Sequence, residues 1–129
     1  MKAFIAFLLF LCMGCEKLMT DGIVGNWMYP AYYDDNVVIM QRVRDIGDNE
    51  YGFSFRENGE CSEFKNAGWC GTPPVTYTEF QGSWYRTDSV VDIVVGYYGG
   101  MAHYRWIIVS VDRKNLVYRA DTVHYISTD

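Results

Sequence analysis

The sequence predicts an all-β protein: an eight-stranded antiparallel up-and-down β-barrel that follows an N-terminal signal peptide. Three observations carry this. Beyond residue 22 the apolar residues recur with period two rather than 3.6. Clusters of Gly, Pro, Asn and Asp interrupt the chain at short intervals, as in "YPAYYDDN", "IGDNEYG", "GTPP" and "YYGG". No stretch after the signal sustains helical periodicity.

The elements follow in order. "MKAFIAFLLFLCMGC" carries one positive charge, Lys2, then an apolar run from Ala3 to Met13, too short to span a bilayer. The run ends on a small residue, Gly14, directly before Cys15, and resembles the lipobox of bacterial lipoproteins, with Cys12 where that family has Leu. The resemblance implies that Cys15 is acylated and becomes the first mature residue. The expected division is therefore 1–14 signal peptide, 15–22 lipidated tether and 23–129 barrel. A single domain suits this length.

Strands are predicted over about 24–29, 36–44, 51–57, 60–65, 75–86, 89–97, 103–111 and 116–126. "YGFSFR" puts Tyr51, Phe53 and Phe55 on one face, and Asn58-Gly59 after it signals a hairpin. "VVDIVVGY" groups Val91, Ile93, Val95 and Tyr97. "HYRWIIVSV" and "NLVYRADTVHYI" flank the polar turn "DRKN" as a closing hairpin. Sequential antiparallel strands joined by short turns must close or stack to cover their edges, and short hairpins favour an up-and-down barrel over a Greek key.

Charge and cysteines narrow the function classes. The chain has a net charge of −5 and no basic stripe, which disfavours nucleic-acid binding. Export to an oxidising compartment predicts a disulfide between Cys61 and Cys70. Their spacing is neither C-x-x-C nor part of a metal-ligand set, so neither a redox role nor a metal is expected. "DIGDNE" lacks the alternating oxygen ligands of a calcium loop. No G-x-S-x-G, H-E-x-x-H or glycine-rich phosphate loop is present, so the chain is not expected to be an enzyme or to need a cofactor.

A G-x-W pair occurs twice, Gly25 with Trp27 and Gly82 with Trp84. Each glycine suits a tight approach, and each tryptophan suits core packing at a strand start. With "GNW", "FSFRENGEC", "GSWYRTDSVVDI" and "IIVSVDRKNLVYR", the chain resembles the small bacterial lipocalin-like lipoproteins. That resemblance implies a barrel plugged at one end by Trp27, with a late arginine, Arg119, packed across it as a cation over the ring.

Candidate binding residues come from the last hairpin. If it closes on Arg113-Lys114, paired positions sum to 227, which sets His103 against His124 and Arg105 against Thr122. Val111, Leu116, Val109 and Tyr118 share that face, so His103, Arg105, His124 and Tyr118 would form a polar mouth inside an apolar cup. Tyr104, Trp106 and Ile108 compete for the interior on the opposite parity, and one bulge would separate the pair. Arg42, Arg44, Arg56 and Glu63 read as a solvated outer face, and "YPAYYDD" and "VGYYGGM" as tyrosine-rich loops suited to surface contacts.

The functional expectation is a lipid-anchored protein of the bacterial cell envelope, periplasmic or surface-facing, that binds a small hydrophobic or amphiphilic molecule without catalysis. The alternative is a protein-interaction or hydrolase-inhibitor module whose barrel is filled by its own side chains and which meets an envelope partner. Eleven tyrosines and four tryptophans supply enough bulk for such filling.

Overall fold

The computed structural model describes residues 22–66 and 76–127. The expected signal peptide, the acylated Cys15, Cys70 and the Pro73-Pro74 turn lie outside them. The strands are β1 (Gly25–Tyr32), β2 (Val37–Val43), β3 (Gly52–Phe55), β4 (Glu60–Asn66), β5 (Tyr77–Thr87), β6 (Val90–Tyr97), β7 (Gly100–Val111) and β8 (Asn115–Ser127), with one 3-10 turn at Asp34–Asn36. All neighbours are antiparallel and the ring closes in the order β1-β2-β8-β7-β6-β5-β4-β3. The expected eight-stranded barrel is therefore the fold.

Strands β3 to β8 follow one another around the wall in chain order. The first hairpin fills the remaining gap, with β1 beside β3 and β2 beside β8. Connection 44–51 thus crosses β1, and Asn26 Nδ2 donates to the Arg44 carbonyl at 2.9 Å. Among the described residues no helix is long and apolar enough to cross a membrane.

The core is the barrel interior. Phe53 and Phe55 stack with centroids 4.8 Å apart, and Trp106 stacks on Tyr118 at 3.9 Å. Trp106 meets Phe53 and Phe55 edge-on at 5.2 and 5.8 Å, and Trp84 meets Phe55 at 5.4 Å. These contacts link five rings into one cluster in the interior, and the three edge-on pairs have the geometry that aromatic quadrupoles favour. Val38, Met40, Val91, Ile93, Val95 and Leu116 are buried around them.

Both G-x-W pairs are architectural. Trp27 is fully buried, and its indole N–H donates to the Ile23 carbonyl at 2.9 Å. Trp84 makes the matching bond to the Arg56 carbonyl, also at 2.9 Å. Gly25 has φ +138, and a Cβ there would stand against the Arg42 guanidinium. Gly82 lies so close to β6 that a Cβ would overlap the backbone of Val94 and Val95.

One expectation is corrected here. The cation over Trp27 is Arg42, not Arg119: its Cζ lies 4.2 Å from the ring centroid. Arg119 is exposed on β8, where it pairs with Ile107 on one side and Val37 on the other. Strand β2 is the direct neighbour of β1, and Arg42 is the register partner of Trp27. Arg42 is accordingly not a solvated outer residue.

Candidate functional site

The two ends of the barrel differ. One end carries the Asp112–Asn115 turn, Trp27 and the start of β1. Arg42 ties it together, donating to the carbonyls of Val24 (2.8 Å), Gly22 (2.6 Å) and Asp112 (3.2 Å). The other end carries the β1–β2 turn, the β6–β7 turn and the last residues of β8. Tyr29, Tyr32, Tyr33, Tyr98 and Tyr125 are each more than half exposed there or along the adjoining strands. The tyrosine-rich stretches thus do present their rings to solvent.

Inside this tyrosine end lies a polar cluster that the sequence reading missed. Glu63 is buried, although it was expected on the outer face. Its Oε1 accepts from Lys65 Nζ at 2.7 Å and from the Tyr104 hydroxyl at 2.8 Å. Its Oε2 accepts from the Tyr51 hydroxyl at 2.8 Å. Lys65 Nζ lies 3.2 Å from the Tyr104 hydroxyl, 5.2 Å from the Phe80 centroid and 5.7 Å from the Tyr104 centroid. Three strands and one flanking residue contribute: Glu63 and Lys65 from β4, Phe80 from β5, Tyr104 from β7, and Tyr51 from the position just before β3. The cluster therefore bridges the barrel from β4 to β7.

Buried charge requires this much pairing, since a lone carboxylate in an aromatic interior is too costly to persist. The tyrosines respond in the expected direction. Burial, then the Glu63 charge, pushes the Tyr51 and Tyr104 hydroxyls well above the ordinary phenol range. Tyr118, buried beneath them, is raised by burial and by Tyr32 and Glu63.

The expected polar mouth is not formed by the histidines. His103 does pair with His124, and Arg105 with Thr122, as the sum of 227 requires. Their side chains, however, face outward. Arg105 and His124 are exposed, His103 is partly exposed, and Tyr104, Trp106 and Ile108 fill the interior instead. The cause is a pair of bulges, at Val109 on β7 and at Asp121 on β8, where the register shifts and returns. On the outer wall Asp92 Oδ1 accepts from Arg105 Nε at 2.9 Å and lies 3.5 Å from His103 Nε2. Of the four candidates only Tyr118 lies in the interior.

The expected disulfide is not seen among the described residues, and Cys70 lies outside them. Cys61 is a free thiol, fully buried against the core. Burial pushes the Cys61 thiol up to about 12. Among the described residues no group of three or more His, Cys, Asp or Glu is arranged to hold a metal.

Strand β8 supplies a second feature of the tyrosine end. Strand β2 covers its outer edge only from Asn115 to Arg119. From Ala120 to Ile126 the strand pairs only with β7 among the described residues, and all of Asp121–Ser127 is exposed. Val123, Tyr125 and Ile126 are each more than half exposed, and Tyr125 touches Tyr97 edge-on at 5.1 Å. No protein-family model, no curated protein sequence and no solved structure matches this chain.

Proposed function

We propose that this chain is a non-catalytic binding module, tethered through Cys15 to the bacterial cell envelope, that engages a polypeptide partner with its outer surface. The partner contributes an extended segment to the free edge of β8. The observation that carries this reading is the overhang of β8 past β2, which leaves one backbone edge open from Asp121 to Ile126 among the described residues. Such an edge offers a row of N–H and C=O groups to another strand, while alternating side chains select what docks. Natural edges are commonly blunted with Lys or Pro, and Thr122–Ser127 contains neither.

The aromatic packing of the interior supports the same reading. Five packed rings stand where a deep cup for a hydrophobic ligand would need space. The tether rests on the Gly14-Cys15 junction after an apolar run.

The test is selection of a random-peptide display library on the purified chain, followed by amide exchange with each selected peptide. Peptides of extended, alternating character that slow exchange in Thr122–Ile126 are expected. No selected peptide, or protection confined to other strands, overturns the reading.

A further inference from the structure

The environment of Lys65 is that of a bound ammonium ion. A carboxylate oxygen lies at 2.7 Å, a hydroxyl at 3.2 Å, and two aromatic faces stand within 6 Å. Carboxylate plus aromatic faces is the chemistry by which proteins recognise organic ammonium groups. Here the occupant is the chain's own side chain.

The surrounding groups are fixed and the occupant is not. Glu63, Phe80 and Tyr104 sit on three paired strands, and Tyr51 is anchored by its bond to Glu63. Lys65 reaches the cluster on a four-carbon stem, and its side chain keeps 15% of its surface against 5% for Glu63. It alone combines length, flexibility and contact with water.

We propose that Glu63, Tyr51, Tyr104 and Phe80 form a binding site for an organic ammonium group, which Lys65 occupies until a ligand displaces it. The exchange is electrostatically balanced: one ammonium leaves for solvent as another arrives, and Glu63 stays neutralised throughout. A neutral molecule would strand the buried carboxylate, and an anion would be repelled by it. The site therefore selects cations, and the two ring faces favour an alkylated, weakly hydrated one over sodium. This proposal is independent of the β8 edge, and neither needs the other.

The test uses the purified chain, its K65A variant and tetramethylammonium chloride as the probe, with equal sodium chloride and the neutral isostere tert-butanol as controls. Removing Lys65 leaves Glu63 without its cation. Tetramethylammonium is then expected to raise the K65A melting temperature, to bind it about tenfold more tightly than the unaltered chain, and to shift the Tyr51 and Tyr104 ring resonances. A second variant, K65A/E63Q, is expected to lose that binding.

Poor folding of K65A keeps the question answerable, because recovery of folded signal on adding the probe is the same readout. Titration of the unaltered chain supplies another. The proposal is overturned if K65A gains no more from tetramethylammonium than from sodium chloride or tert-butanol. It also fails if K65A/E63Q binds as tightly as K65A, or if K65A stays unfolded with the probe while the unaltered chain's Tyr51 and Tyr104 signals do not move.

Discussion

Arg42 stands over the Trp27 ring, 4.2 Å from its centroid, and the same guanidinium donates to three backbone carbonyls from two separate parts of the chain. One side chain thus joins the start of β1 to the β7–β8 turn. Losing it removes the cation from the ring and leaves those carbonyls without their donor. R42A is expected to cost about 3 kcal/mol. R42K keeps the charge but not the fork, and is expected to cost about 1–2 kcal/mol. R119A, at an exposed position, is expected to change stability by less than about 0.5 kcal/mol. Urea unfolding of the three variants checks the ranking; an R119A loss as large as that of R42A would reverse the assignment.

Gly82, from the second G-x-W pair, and Gly59, from the hairpin turn, predict a graded result. At Gly82 a methyl group would overlap backbone atoms of Val94 and Val95, which are locked in the β5–β6 ladder. G82A is expected to lose about 3 kcal/mol or more, since neither strand can retreat without breaking pairs. Gly59 has φ +87, but its nearest neighbour to an added methyl is the Trp84 carbonyl at 3.7 Å. Only backbone strain opposes G59A, about 1 kcal/mol. Equal losses at the two positions would contradict the close packing of β5 on β6.

Stability should fall on the alkaline side, and the sign follows from the buried acids. Cys61, Tyr51, Tyr104 and Tyr118 all hold their protons more tightly in the folded chain, with burial the largest cause for each. Their contribution is fully present below the unfolded values, near 9 for the thiol and near 10 for the phenols. As pH rises the unfolded chain releases protons first, so stability declines by about 1.4 kcal/mol per pH unit for each group that has titrated only in the unfolded state. For Cys61 that decline runs from about 9 to about 12. Denaturation midpoints measured from pH 7 to 11 should be flat and then drop. In C61A the drop should begin about one unit later, and an unchanged onset would place Cys61 outside the interior.

Much of the fold was legible because period-two patterning and turn residues locate strands directly. The eight expected strands coincide with the eight found to within a few residues. What period two cannot supply is the side of the wall on which each residue falls, since one residue of slippage inverts a whole strand. The hairpin at Asn58-Gly59 shows this. A two-residue turn there would pair Phe53 with Phe64. The actual loop is one residue longer, with Arg56 N donating to the Glu60 carbonyl at 2.9 Å, so Phe53 pairs with Glu63. That single residue carries Glu63 and Lys65 into the barrel. The last hairpin errs the other way. Its two bulges cancel in register, so the His103–His124 pairing was readable, while the face it occupies was not.

The β8 overhang makes the most direct prediction about the proposed partner edge. In an antiparallel edge strand successive amides point alternately to the paired neighbour and to the open side. From Thr122 to Ile126 one set should bond to β7 and the other should meet water. Residue-resolved amide exchange on the isolated chain should therefore show alternation, with every second amide protected and those between them exchanging freely. On β7, residues 101–105 are covered by β6 on one side and β8 on the other, so their amides should all be protected. Uniform protection across Thr122–Ile126 would mean that the edge is already covered, and the proposed docking strand would have no place to add. Uniformly fast exchange would mean that β8 frays beyond Ala120 and offers no template. Alternation alone leaves an ordered, unpaired edge, and it should disappear first in Thr122–Ile126 when a strand-adding peptide binds.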